Sequence, residues 1–400
     1  MPNNFITTQL VSNTALAMFA NNAPFVMTSS RIYEHDFTSS GYKIGDTLQV
    51  RRQNNFIVGD GAVATPQDII ESVENIVVSH QYNAFIAYTV KDLTLKIEDF
   101  SRMFIQPAIQ NIISKMEGDI CTAAESDLYM YVGNPAQPID SFTKVDIAGA
   151  KLLEGAVNIS SDAYVAMSVR DGSTLKGSLL NQFTPVFNED IVRQSAIGHL
   201  SYFDIFQSQN IKRHVTGAGD GLTLTVNGAV SSGNTIILAG ATPSITNYFV
   251  VGDLITIDGV QSVNPLSLQG TGQNMQFVVT ANASSTAGGA ITLTVSPAIV
   301  TTGPLKNVTN AIPNGAIVTK EASYNVNVAY PARALDIVCP PLYKLQVPYA
   351  SVAVDDQTGL SLAVTQTGDI NSYQNLMRID ILCGFKWHPQ YACKILSSAV

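Results

Sequence analysis

The stretch Gly252-Asp-Leu-Ile-Thr-Ile-Asp-Gly-Val260 has the pattern that decides how the middle of the chain folds. A short run rich in β-branched residues lies between a Gly-Asp and an Asp-Gly pair, which is typical of a strand between two turns. Asp253 and Asp258 are therefore expected to begin and end a strand, on opposite faces, rather than to act as paired carboxylates. Similar runs recur at Leu222-Thr-Leu-Thr-Val226, Thr235-Ile-Ile-Leu238, Gln276-Phe-Val-Val-Thr280 and Ile291-Thr-Leu-Thr-Val295.

The same region differs sharply from the rest of the chain in charge. Residues 216–319 contain only four charged side chains, Asp220, Asp253, Asp258 and Lys306. Asn-Gly, Ser-Gly, Asp-Gly and Gly-Gly pairs separate the predicted strands and favour tight turns. We therefore predict an all-β barrel or sandwich that is inserted into a host domain, which resumes near Ala332.

The flanking sequence predicts a host domain that mixes helices and strands. From Asp92 to about Ala124, apolar residues recur every three or four positions, as on one face of a long helix. This set comprises Leu93, Ile97, Phe100, Phe104, Ala108, Ile112, Met116 and Ile120, and Phe100 and Phe104 are expected in the core. Pro107 predicts either a kink or a second helix that starts there.

Before this helix the sequence predicts a long hairpin arm. Gly45-Asp-Thr-Leu-Gln-Val-Arg51 and the residues from Ser72 to Val90 are expected to be extended, with the polar, turn-rich span from Arg52 to Ile70 between them. Helical and strand patterns alternate from residue 147 to about 209. Further strands are predicted at Leu345 to Val354, Ser361 to Thr365 and Leu376 to Cys383, followed by a turn at His388-Pro389.

Composition excludes several functional classes. The chain has 46% hydrophobic and 13% charged residues, with a net charge of −9, so it is not intrinsically disordered. It does not carry the clustered cations that tight binding to nucleic acid needs. No stretch of the sequence is apolar over the ~18 residues that span a bilayer, and the first twenty residues lack the pattern of a secretory signal. We expect folding in a reducing cytosol, with the cysteines as thiols.

No catalytic motif stands out in the sequence. The Gly-rich string Gly217-Ala-Gly-Asp-Gly221 lacks the strand and helix of a dinucleotide site and is interpreted as a linker. The five histidines are scattered, and Cys383-x4-His388-x4-Cys393 supplies only three ligands at a spacing unlike that of a zinc knuckle. We predict that these cysteines are buried thiols, and that the protein has no catalytic, cofactor-binding or metal-binding residues.

The order of these parts resembles one family. The helical segment Gln9 to Phe19, the phrase Gly45-Asp-Thr-Leu-Gln-Val50, the helix around Gln106-Pro-Ala-Ile, the β insertion after His214-Val215, and Thr367-Gly-Asp-Ile370 are similar to segments of major coat proteins of tailed bacteriophages of the P-twenty-two type. The resemblance covers nearly the whole chain, in order.

This resemblance implies an α+β, HK-ninety-seven-like capsid fold with an inserted barrel. The expected parts are an N-terminal arm (1–42), an E-loop hairpin (43–75), a peripheral subdomain with a spine helix (76–146) and the first part of an axial subdomain (147–215). The inserted β-barrel (216–319) follows, and residues 320–400 complete the axial subdomain and the peripheral strands.

The resemblance also implies a function. Copies of the chain would form pentamers and hexamers of an icosahedral virion shell around double-stranded DNA, bound without sequence specificity. A scaffolding protein and a portal at one vertex would be partners during assembly in the bacterial cytoplasm, and no membrane would be involved. The alternatives are an adhesin or carbohydrate-binding module, which needs exposed aromatics such as Tyr248, Phe249 or Phe277, another phage structural protein, or an enzyme.

The arm supplies the candidate contacts between subunits. An isolated two-stranded hairpin is marginally stable in water, so we expect the arm to lie on a neighbouring copy. Arg51-Arg52, at the base of the arm, has two interpretations, a solvated surface pair or an intersubunit salt bridge. The predicted contact residues are Arg51, Arg52, Asn54, Asn55, Asp60, Gln67 and Asp68.

Overall fold

A computed structural model describes residues 8–30, 47–51, 55–58, 66, 73–89, 104–159, 162–179, 198–219, 223–347, 349–355, 360–369 and 374–398. The helices are α1 (Thr8–Asn22), α2 (Pro24–Met27), α3 (Gln106–Asp127), α4 (Phe142–Glu154) and α5 (Val169–Leu179), with a 3-10 turn at Ala332–Ala334. The chain divides into two compact units, one of residues 1–50, 73–120 and 335–386 and the other of residues 51–72, 121–334 and 387–400.

Within the described residues, twenty strands accompany these helices, with the bounds given next. They are β1 (Thr47–Arg51), β2 (Val73–Val77), β3 (His80–Thr89), β4 (Tyr131–Gly133), β5 (Ala163–Ser168), β6 (His199–Leu200), β7 (Phe203–Ser208), β8 (Arg213–His214), β9 (Leu224–Val226), β10 (Ser232–Ala239), β11 (Leu254–Val263), β12 (Gly270–Val279), β13 (Ile291–Val300), β14 (Ile317–Lys320), β15 (Tyr324–Pro331), β16 (Leu335–Val338), β17 (Tyr349–Val354), β18 (Ser361–Asp369), β19 (Gln374–Trp387) and β20 (Cys393–Ser397).

The first unit is built around a five-stranded sheet. Its order is β16-β19-β18-β17, and β3 also pairs with β19. Helix α1 packs on β17 and β18, where Ser351 Oγ donates to Ser12 Oγ at 2.6 Å. Helix α3 is tied to β3 because Tyr82 Oη donates to Asp119 Oδ2 at 2.9 Å. Strands β1 and β2 form a separate two-stranded sheet, as the predicted hairpin arm requires.

The second unit combines a seven-stranded sheet with a closed barrel. The sheet has the order β4-β20-β15-β5-β7-β6, with β8 also pairing with β15. The pairs β4 with β20 and β5 with β7 are parallel. Helices α4 and α5 bury apolar residues such as Val145, Leu152 and Leu175 in the core of this sheet.

The barrel confirms the predicted all-β insertion. Six antiparallel strands follow the order β10-β13-β12-β11-β14-β9 and close where β9 pairs with β10. Closure removes the exposed strand edges that an open sheet would present. The interior holds a continuous apolar core that includes Ile236, Phe249, Phe277 and Leu293.

Some details differ from the sequence-based expectations. Asp258 lies inside β11 rather than at its end, because the strand continues past an irregular register to Val263. Phe104 is exposed, because α3 begins only at Gln106 and places Ala108, Ile112, Met116 and Ile120 on its buried face. Residues 92–103, which precede Pro107 in the predicted helix, lie outside the described residues, so a kink and a second helix at Pro107 both stay predictions. Among the described residues, no helix is long and apolar enough to cross a membrane.

Candidate functional site

Of the seven contact residues predicted in the arm, two lie within the described part of the chain. The backbone of Arg51 ends strand β1, and Asn55 is half-buried in the segment that follows. Arg52, Asn54, Asp60, Gln67 and Asp68 lie outside the described residues. Their role as intersubunit contacts stays a prediction.

The described part of the arm exposes apolar side chains. Phe56, Ile57 and Val58 are consecutive and exposed, Phe56 by 56% and Val58 by 93%. A run of three exposed apolar residues costs free energy in water unless something covers it. These three residues are called the arm patch below, and they are not among the contact residues predicted from the sequence.

A second exposed surface lies on one face of the five-stranded sheet. Gln81, Arg378 and Asp380 line a cavity of about 230 Å³ together with the irregular segment 342–345. Arg378 contacts Asp380 through two nitrogens at 2.8 to 2.9 Å, and Gln81 donates to Asp380 at 3.1 Å. These polar groups satisfy one another, while Tyr343 (87% exposed) and Leu345 at the rim do not bury their apolar surface.

The most unusual polar cluster is buried where the chain passes between the seven-stranded sheet and the barrel. It comprises Glu125, His214, Asp253, Lys320, Tyr324 and Lys394, and we call it the barrel joint. His214 ends β8, just before the chain enters the barrel, and its side chain is 1% exposed. Its Nδ1 lies 2.7 Å from Glu125 Oε1 and its Nε2 lies 2.8 Å from Asp253 Oδ1.

Asp253 is the acceptor at the centre of the joint. Its side chain is fully buried and accepts from the backbone amides of Gly217 and Val250. Lys320, the last residue of β14, lies 3.3 Å from Asp253 Oδ2 and donates to the carbonyls of Gly217 and Tyr248. The residue that sequence analysis interpreted only as the start of a strand therefore also fixes the loop by which the chain enters the barrel.

The host side of the joint is formed by β15 and β20. Tyr324 Oη donates to the carbonyl of Gly252 at 2.9 Å, and its ring lies 4.9 Å from that of His214. Lys394 Nζ donates to the carbonyl of Glu125 at 2.7 Å and contacts Tyr324 Oη at 3.3 Å. The joint thus connects α3 and the sheet to the barrel entry loop through a continuous hydrogen-bonded network.

Burial and charge act in opposite directions on the pKa values of the joint. Burial lowers the pKa of His214, but its hydrogen bonds to Asp253 and Glu125 outweigh this effect, and the pKa is raised above its ordinary value of 6.5. Burial lowers the pKa of Lys394 to about 7, against the attraction of Glu125 and Asp127. Burial also lowers the pKa of Lys320, although Asp253 opposes it.

A neighbouring contact extends the joint toward the edge of the sheet. Tyr131 and Gln276 form a reciprocal pair in which the Tyr131 amide donates to Gln276 Oε1 and Gln276 Nε2 donates to the Tyr131 carbonyl. Tyr131 Oη donates to Glu321 Oε1 at 2.9 Å. The joint and this pair hold the barrel against the sheet by polar contacts.

The described residues offer little for catalysis or for sugar binding. Among them, no three His, Cys, Asp or Glu side chains are grouped so that they could hold a metal ion. All four cysteines are buried and none forms a disulfide, as predicted. Tyr248, Phe249 and Phe277 are buried in the barrel, so they cannot form the aromatic platform that an adhesin or carbohydrate-binding module would need.

Comparison with solved structures supports the fold. The chain is similar to a structure from Mycobacterium phage Che8, with a TM-score of 0.50 and 10% identity over 92% of this chain and 89% of that one. It is also similar to the capsid structure of the cyanophage P-SCSP1u (TM-score 0.42, 11% identity, 89% and 85% covered) and to the capsid of Ralstonia phage GP4 (0.45, 7%, 88% and 83%).

Comparison of the sequence with protein families identifies one family. No curated protein matches the sequence. The family described as "P22 coat protein - gene protein 5" matches residues 58–391, which is most of the chain and includes both the barrel and the five-stranded sheet. The earlier resemblance is thereby confirmed, and the chain belongs to the P22 coat protein family of phage capsid proteins.

Proposed function

We propose that this coat protein assembles as pentamers and hexamers into the icosahedral head that encloses the double-stranded DNA of a tailed bacteriophage. The family match over residues 58–391 carries the proposal. Assembly takes place in the bacterial cytoplasm with a scaffolding protein and a portal at one vertex. The DNA is enclosed rather than gripped, since the net charge of −9 disfavours tight contact with phosphates.

The exposed apolar residues support self-association. The arm patch and the Tyr343–Leu345 rim leave large apolar side chains in water, whereas a stable interface covers such side chains at its centre. A shell subunit touches several copies of itself and can bury both surfaces. In this proposal the arm patch packs on a neighbouring subunit, and its burial offsets the entropy that is lost when the arm becomes ordered.

A triple substitution of the arm patch tests this function. In Phe56→Ser/Ile57→Ser/Val58→Ser, the exposed side chains change while the described core is untouched, so the subunit is expected to fold with unchanged thermal unfolding. Closed shells are expected to be absent by sedimentation and electron microscopy. Leu266→Ser/Leu305→Ser is the matched control because it removes exposed apolar side chains from the barrel, and it is expected to form shells.

Two outcomes would contradict the proposal. Normal shells from the arm variant would show that the arm patch is not an assembly contact. Loss of shells in both variants alike would show only a general requirement for surface hydrophobicity and would remove the arm's assigned role.

A further inference from the structure

The barrel joint has a geometry that fixes the charge of one histidine. Both ring nitrogens of His214 face carboxylate oxygens at hydrogen-bond distance, 2.7 Å from Glu125 and 2.8 Å from Asp253. A carboxylate can only accept, and a neutral imidazole has one N–H and one lone pair. Satisfying both contacts therefore requires the doubly protonated imidazolium.

The two carboxylates lie on the two sides of the joint, which are the host and the barrel. Glu125 is in the last turns of α3, on the host side, and Asp253 is in the barrel immediately before β11. His214 lies between them in β8, opposite Tyr324 of β15. One proton therefore completes a bridge from the host to the barrel. Its loss leaves a lone pair of the ring facing one of the two carboxylates, of which Asp253 is fully buried.

We propose that protonated His214 is a clamp that holds the barrel on the seven-stranded sheet, and that raising the pH releases it. The clamp requires no partner chain, so it stands apart from the proposed shell function. A docked His214 with a pKa above 6.5 binds its proton more tightly than an undocked one. The stabilisation of docking is thus complete below about pH 6.5 and is lost as the pH rises through the docked pKa.

Other charged groups lie around His214 and contribute to the pH dependence of barrel docking. Lys320 contacts Asp253, and Lys394 contacts the Glu125 carbonyl and Tyr324, while Glu321 binds Tyr131 nearby. Because burial lowers the pKa of both lysines, they contribute in the opposite direction and favour docking as the pH rises. The contribution of His214 must therefore be measured as a difference between the wild type and a variant.

The test uses the unassembled full-length subunit. Hydrogen exchange of the Gly217 and Val250 amides, which donate to Asp253, reports on docking, and the titration of a ¹³C-labelled His214 ring reports on its proton. We expect a titration midpoint above 6.5. We also expect the ratio of amide protection in the wild type to that in His214→Gln to be greatest near pH 6 and to fall by up to about tenfold per pH unit across the window.

A matched control variant is available on the surface of the same sheet. His199 lies 2.9 Å from Asp204, but both side chains are more than half exposed, so the pair contributes little. His199→Gln removes the same chemical group and is expected to keep the wild-type exchange profile at Gly217 and Val250. A change in this control equal to that in His214→Gln would overturn the proposal.

The proposal is also overturned by a His214 midpoint at or below 6.5, or by wild-type protection at every pH in His214→Gln. If His214→Gln does not fold, Glu125→Gln replaces it, because the contact between His214 and Asp253 is then preserved. That variant is expected to lower the His214 midpoint and to reduce the pH dependence of protection. An unchanged midpoint in Glu125→Gln would contradict the bridge.

Discussion

The barrel and the arm of this coat protein carry similar apolar residues in opposite environments. In the barrel, Phe249 and Phe277 are fully buried, whereas Phe56 and Val58 of the arm patch are exposed. A closed barrel surrounds its own core and leaves no strand edge. The strands of the arm bury Val50 and Ile76 against Val338, but the segment that follows β1 leaves Phe56, Ile57 and Val58 in water. We therefore expect the barrel to be stable by itself, and we propose that residues 56–58 of the arm are covered by a neighbouring subunit.

Excision of the barrel is expected to give the largest effect, because it tests whether the barrel folds without its host. A fragment from Val215 to Glu321 contains all six barrel strands and their apolar core. It loses His214 and Glu125, but it keeps Lys320 beside Asp253, and that carboxylate can be hydrated in the fragment. We expect well-dispersed amide resonances in solution, and a random-coil spectrum would show that the barrel needs its host.

A pair of phenylalanine substitutions gives the next largest effect. Phe277→Ala removes a fully buried ring from the barrel and is expected to lower the free energy of unfolding by about 3–5 kcal/mol. Phe85→Ala removes a ring that is 61% exposed on the five-stranded sheet and is expected to change it by less than about 0.5 kcal/mol. Urea-induced unfolding of the unassembled subunits measures both. Equal losses in the free energy of unfolding would mean that the exposure of a side chain does not predict how much it stabilises the subunit.

Two glycines of the barrel are expected to give smaller changes in the free energy of unfolding. Gly259 has φ +81° with open space where a Cβ would lie, so Gly259→Ala is expected to cost only the backbone strain, roughly 1–2 kcal/mol. Gly289 has φ +73°, and a Cβ added there would collide with the Ala241 carbonyl oxygen. Gly289→Ala should therefore cost more than Gly259→Ala. The reverse order in thermal unfolding would contradict the close packing of this turn.

The barrel was largely predictable from sequence, because its signals are local. Five strands follow from short β-branched runs between turn pairs, and each run lies inside or overlaps an observed strand. The sixth strand, β14, was missed because it is four residues long and ends at Lys320.

The barrel joint could not be predicted, because its signals are not local. Glu125 and His214 are 89 residues apart in sequence, and His214 and Asp253 are 39 apart. No spacing rule connects them, and only the folded chain shows that β8 and the entry to β11 meet. The arm patch was missed for a different reason, since an apolar run in a polar span gives no indication of whether a neighbour covers it.

Hydrogen exchange, measured on the free subunit and on the assembled shell, tests whether the barrel is complete within one chain and the arm patch is covered only by a neighbour. Barrel amides of β11, β12 and β13 are expected to be equally protected in both states, because their partners lie within one chain. Amides of Asn55, Phe56 and Val58 are expected to exchange rapidly in the subunit and to become protected only in the shell. Barrel amides that gain protection on assembly, or an arm that is already protected in the subunit, would contradict the account.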